Sequence, residues 1–158
     1  MSSPAFQNSF LSLLEIHARL SEGFLDHQGA LLDLDIPLGL MRLQSFEQQL
    51  KAHIRVEEDL LLPIYRRAGS VPHGSVELFT GEHRRMIELV SSFTNTIGEI
   101  LSRPLNLKWR VLDLFDHQAL FKGLLEHHDL RERNILYPTI DGVTTEEERR
   151  DLLLRCAT

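Results

Sequence analysis

Cysteine is almost absent from this chain: there is one in 158 residues, Cys156, two short of the last residue. A single thiol forms no internal disulfide, so a packed core must hold the fold, and the cytoplasm is the expected location. Basic charge is also short. Seventeen Lys and Arg stand against 23 Asp and Glu, a net charge of −6, which excludes the basic footprint that nucleic acid requires. No apolar run approaches the roughly 20 residues that span a bilayer, so no membrane association is expected. MSSPAFQNSF has neither the basic nor the apolar region of a secretory leader. Strand signals are missing too. No segment alternates with period 2, and the one Asp-Gly step, Asp141-Gly142, falls between helical patterns rather than between strand-like runs.

What remains is helical periodicity. Four long amphipathic segments cover about 4–32, 37–68, 74–101 and 106–137, each with apolar residues at steps of three and four. The stripes run Phe6, Phe10, Leu13, His17, Leu20, Phe24; then Leu43, Phe46, Leu50, His53, Glu57, Leu60, Ile64. They continue Val76, Phe79, His83, Met86, Val90, Phe93, Ile97; then Leu114, His117 or Gln118, Phe121, Leu125, His128, Glu132, Ile135. Pro4 after Ser3 suits a helix start, Gly69 and Pro138 suit helix ends, and Thr145-x-x-Glu148 is a capping box for a short fifth helix over about 145–155. The expectation is an all-α protein: one domain over 1–158, an up-down-up-down four-helix bundle over about 5–140 with the short helix appended.

The chemistry lies where the stripes are interrupted. HIRVEEDLLLP (53–63) and HDLRERNILYP (128–138) are one pattern used twice, with His and Glu four apart and Pro six beyond the Glu. Four apart on a helix is one face. A buried imidazole or carboxylate must be paired or coordinated, because burying it bare costs several kcal/mol. A lone histidine on an apolar stripe, such as His17, is more often a core residue than a ligand. Antiparallel threading, however, brings His17, His53, His83 and His128 to within one or two turns of a common level, together with Glu57 and Glu132. Four imidazoles and two carboxylates in one layer read as a metal site, and a mixed His/Glu set suits iron. His127, about 100° around the helix from His128, and His73, in a Pro-His-Gly turn, are expected to face solvent. His27 and His117 are expected at the far end, too distant to ligate, either partly exposed or approaching one another. Glu15, Glu58, Glu82 and Glu126 are read as solvated, with completion of the ligand set as the alternative, and Tyr65 and Tyr137 as core or capping residues, with a redox or hydrogen-bonding role as theirs. Without metal, two like charges in a poorly solvated layer should raise the pKa of at least one carboxylate.

At these motifs the chain resembles the hemerythrin-like, or HHE cation-binding, domain family. The resemblance is carried by EIHARL (15–20), HIRVEEDLLLP (53–63), GEHRRM (81–86) and HDLRERNILYP (128–138), nearly the whole chain. It implies a non-haem di-iron centre in which Glu57 and Glu132 bridge two Fe ions, an oxo or hydroxo group completes the bridge, and His17, His53, His83 and His128 are terminal ligands; other divalent metals are compatible. The oxygen-carrying members have a further His four residues along the third helix, where this chain has Ile87, and a carboxylate five rather than four residues after the last His. Fewer protein ligands leave more exchangeable positions. That favours reaction with O2, peroxide or NO, or iron handling, over reversible oxygen storage. A sensor or interaction module responding to metal or oxygen, or an iron store without turnover, is the alternative. No catalytic residue and no oligomeric state are assigned from the sequence.

Overall fold

The computed structural model describes residues 8–157. Among these, all regular structure is helical. A 3₁₀ turn, Phe10–Leu13, opens the first helix, α1 (Leu14–Leu32). Ser9 caps that turn through its side chain, and the Phe10 amide donates to Asp141 Oδ1 at 2.9 Å. The helix therefore starts later than the expected Pro4. Pro4 and Phe6 lie outside the described residues, and Asn8 and Ser9 are not helical.

Asp33 ends α1, and Leu34 turns the chain at φ 60°. Asp35 then caps α2 (Ile36–Val56), accepting from the Leu38 amide, with Pro37 in the first turn where its missing N–H is not needed. α1 and α2 approach closely at Gly39. A Cβ there would lie 2.5 Å from Leu31 Cδ2, so only glycine fits.

At Glu57 the second helix changes form. Residues Glu57–Leu61 make a π-helical turn, closed by a bond from the Leu62 amide to the Glu57 carbonyl, before α3 (Leu62–Tyr65) and a last 3₁₀ turn to Ala68. The fourth segment repeats this. After α4 (Val76–Ser102), α5 (Leu107–Arg131) runs into a π turn at Glu132–Leu136, closed from the Tyr137 amide to the Glu132 carbonyl, and continues as α6 (Tyr137–Val143). Pro138 is thus not the expected end of the fourth helix. A proline in a regular α-helix clashes with the carbonyl one turn back and removes a bond. The wider turn before Pro63 and before Pro138 absorbs both problems, and the chain passes through. Finally α7 (Glu146–Cys156) begins with the expected capping box: Thr145 Oγ1 accepts from the Glu148 amide, and the Thr145 amide donates to Glu148 Oε2, both at 3.2 Å.

Each π turn adds a residue to its turn and shifts the stripe by one. Beyond Glu57 the core takes Leu61 and Tyr65, where a constant α period selects Leu60 and Ile64; beyond Glu132 it takes Leu136 and Ile140 instead of Ile135. α1 packs along α2, α2 on α4, α4 on α5, and α5 closes thinly back on α1. Two apolar cores result. One is centred on Phe24, Phe46, Phe93 and Phe121, the other on Phe10, Tyr65, Phe79, Leu136 and Tyr137. In every stripe the imidazole or carboxylate falls between residues of the two cores, as His83 does between Phe79 and Met86. Burying each large apolar side chain contributes about 1.5–3 kcal/mol, so the polar layer is clamped from both sides.

Candidate metal centre

All six residues singled out by pattern meet in that layer. Glu57 and Glu132 are completely buried, His53, His83 and His128 nearly so, and His17 is partly covered. Their ligand atoms form two groups of four, each with its atoms within 4.8 Å of one another. His17 and His53 make up one with Glu57 and Glu132; His83 and His128 make up the other with the same two glutamates.

The contacts within the layer are close. His53 Nε2 lies 2.7 Å from Glu57 Oε1, His17 Nε2 2.8 Å from Glu132 Oε2, and His83 Nε2 3.0 Å from Glu57 Oε2. His128 Nε2 contacts Glu132 Oε1. The imidazoles also approach in pairs, with Nε2 to Nε2 distances of 3.0 Å for His17 and His53 and 3.1 Å for His83 and His128. Two nitrogens each about 2.1 Å from one ion, at right angles to each other, lie about 3.0 Å apart. Both pairs have the spacing that shared coordination requires. The donor set therefore fits a metal.

Three residues outside the predicted set hold the imidazoles from behind. Asp129 Oδ1 lies 2.5 Å from His17 Nδ1, and Glu58 Oε1 2.9 Å from His83 Nδ1. Glu82 is 3.7 Å from His128 Nδ1 and is itself paired to Arg131 at 3.1 Å. A carboxylate on Nδ1 fixes the ring orientation and leaves Nε2 for the metal side. His53 and His128 differ: the Nδ1 of each is buried without a hydrogen-bond partner, and His128 has only the charge of Glu82 beside it. Glu58 and Glu82, read as solvated, thus have a supporting place, while Glu15 and Glu126 belong to neither group of ligand atoms.

For Tyr137, read first as a core or capping residue, the alternative of a hydrogen-bonding role holds, because it reaches the centre. Its hydroxyl lies 2.9 Å from Glu57 Oε1, 3.0 Å from Glu132 Oε2 and 3.0 Å from His17 Nε2, so its one proton is shared between the two carboxylates. The π turn accounts for this. A five-residue interval from Glu132 returns Tyr137 to the same face only when the turn is wide. Burial, with Glu57 and Glu132 beside it, drives the phenol well above its ordinary range, so it stays protonated. Tyr65 instead donates to the Gly74 carbonyl, away from the layer.

The electrostatics correct one expectation. Burial raises both carboxylates, and Glu57 raises Glu132 further, but the imidazoles outweigh this and hold both acids below the ordinary range. The same pairing works on the histidines. Burial opposes their charge, yet hydrogen bonds to Glu132 and Glu57 push His17 up to about 10 and His83 up to about 9, and the charge and hydrogen bonding of Glu132 push His128 well up. Counting two carboxylates alone gives the wrong sign, because four basic rings share the layer. His17 and His83 have a carboxylate on each nitrogen, so the metal-free layer stores protons on Nε2, and a bound ion takes their place.

The other histidines are not part of this layer. His127 and His73 face solvent as expected. His27 is not partly exposed, and its partner across the bundle is Gln118 rather than His117. It is fully buried, Nδ1 donating to the Gly39 carbonyl at 2.7 Å and Nε2 accepting from Gln118 at 2.9 Å. Both nitrogens are satisfied by a neutral ring, and burial lowers its pKa accordingly. His117 points out and bonds its own helix at the Asp113 carbonyl. Of the two residues the stripe allowed, Gln118 is the buried one.

Helices enclosing a buried layer of imidazoles and carboxylates define a helix-bundle metal-binding domain. The family model of the hemerythrin HHE cation-binding domain matches residues 11–140, and the chain belongs to that family. Comparison with curated proteins and comparison with solved structures gave no significant match. Among the described residues no helix is long and apolar enough to cross a membrane.

Proposed function

We propose that this single-domain protein is a non-haem di-iron protein, folded as an up-down-up-down four-helix bundle, that reacts with O2, peroxide or NO or handles iron. One ion is held by His17 and His53, the other by His83 and His128, and Glu57 and Glu132 bridge them. The observation that carries this reading is that the two groups of four ligand atoms share both glutamates. The threading is supported by the meetings of helix ends: His17 early in α1 with His53 late in α2, Glu57 just past α2 with His83 early in α4, and His83 with His128 late in α5.

When bound, iron supplies one-electron chemistry and open positions for small molecules. The chain's own residues do the rest. Asp129 and Glu58 orient the His17 and His83 rings, and Glu82 places a charge beside His128. Tyr137 holds a proton between the two bridging carboxylates. The two apolar cores cover the layer from above and below, and the low dielectric there strengthens the charge interactions of the buried glutamates.

The test is stoichiometry. Protein reconstituted anaerobically with ferrous iron should bind about two ions per chain by elemental analysis. Glu57→Ala and Glu132→Ala should each lower that number sharply, while Glu126→Ala leaves it unchanged. A firm value of one ion with all six side chains intact contradicts the dinuclear reading.

A further inference from the structure

The side of the bundle where α5 closes on α1 is not filled. α1 presents Leu14, Ala18, Ser21 and Leu25 along this side, at helical steps of four, three and four, and α5 presents Lys122, Leu125, Glu126, Asp129 and Arg133. The two residues midway along the α1 row are small. Between the rows lies a cavity of about 430 Å3. Its deeper wall is apolar, from Leu20, Phe24, Leu50, Ile54 and Met86, and it ends on His17, His53, His83 and His128.

From this we infer that the cavity binds an uncharged, apolar organic molecule whose inner end lies against the four imidazoles; the inference rests on the di-metal reading above and supplies its substrate class. Size is the first reason. Dioxygen, NO and hydrogen peroxide have two heavy atoms each, and a water takes about 30 Å3 in the liquid. At that size per heavy atom the cavity exceeds the need about sevenfold, and it falls within the roughly 300–1,000 Å3 of clefts that hold organic ligands. At about 30 Å3 for each heavy atom it accepts on the order of ten to fifteen. Charge is the second. The rim has two cations, Lys122 and Arg133, and two carboxylates, Glu126 and Asp129, so no net charge attracts an ion. Arg133 is also 3.3 Å from Asp129, which holds His17, and Lys122 is 3.3 Å from Gln28 Oε1.

The experiment titrates iron-loaded protein with the small neutral fluorophore 1-aminonaphthalene and then displaces it with 1-octanol, with metal content measured on the same samples. One probe should bind per chain and be displaced. Ser21→Phe, an exposed position at the mouth, should weaken probe binding at least tenfold with iron content and melting temperature unchanged. Ala18→Leu narrows the same mouth and serves if Ser21→Phe does not fold. Trp109→Ser removes the most exposed large apolar side chain described, outside the cavity, and should leave binding intact. Probe binding that survives both mouth variants, or that disappears with Trp109→Ser, overturns the proposal. Full iron content without probe binding rejects the organic ligand and leaves the di-metal reading intact. Probe binding of the expected pattern without two metals supports the pocket and rejects that reading.

Discussion

Single atoms decide how the layer behaves. Tyr137→Phe removes only the hydroxyl between Glu57 and Glu132. The metal-free protein should then lose about 1–3 kcal/mol, since two buried carboxylates lose their shared donor, as read by urea unfolding, while bound iron per chain is unchanged. No loss of stability would place the hydroxyl outside the network. Asp129→Asn and Glu58→Gln should each weaken metal binding about 10–100-fold, because a ring without its anionic support is a poorer and looser ligand. The six central residues were readable from sequence because each interrupts an apolar stripe. Asp129 was not, and Tyr137 only as an alternative. Asp129 sits one place beyond His128, off the stripe, and its role depends on α1 lying opposite; the one hint was its position between two basic residues, His128 and Arg133. His27 was misjudged because its partners are a backbone carbonyl and a glutamine on other helices, which no periodicity reports.

Among the elements, the π turns at Glu57 and Glu132 matter most. Helix periodicity found the long helices and their capping devices, including Thr145 with Glu148. It missed the fourth helix's passage through Pro138, because a constant period has no place for an extra residue. The signal was present in the repeat itself: in both copies a proline follows the glutamate by six, too soon after a ligand for the helix to end there. Deleting Asn134, an exposed residue within the second π turn, should restore an α turn. That leaves Leu136, Tyr137 and Ile140 three, four and seven residues after Glu132, still on the core face, but it puts Pro138 in a regular α turn, where the ring clashes with the carbonyl one turn back and removes a bond beside the ligand layer. The deletion should lower the melting temperature and the iron content together, whereas Asn134→Ala should change neither. A deletion variant with normal iron and normal stability would show that the wide turn has no structural role.

The whole molecule feels the layer through pH. In the metal-free state His17 and His83, raised to about 10 and about 9, bind protons more tightly folded than unfolded. Their contribution is complete below about 6.5 and lost as pH climbs to 9–10. Glu57 and Glu132 are lowered, so theirs is present above the ordinary carboxylate value and lost on strong acidification. Metal-free protein should therefore be most stable between about pH 4.5 and 6.5 and weaken on both sides, measured by thermal unfolding across pH. A profile that is flat from pH 6.5 to 10 would rule out the shared protons. Iron replaces those protons, so at pH 8 ferrous iron at about 100 times its dissociation constant should add about 2.7 kcal/mol per site.

Both four-residue groups include Glu132. Neither group exists in a chain that stops short of α5's last turn, however well α1, α2 and α4 have folded. On a ribosome, a nascent chain can thus offer separate His–Glu pairs but no complete site until its final quarter has emerged. Metal loading is in this sense a record that synthesis was finished: a chain without Glu132 has neither complete group, and a bound metal distinguishes completed molecules from interrupted ones.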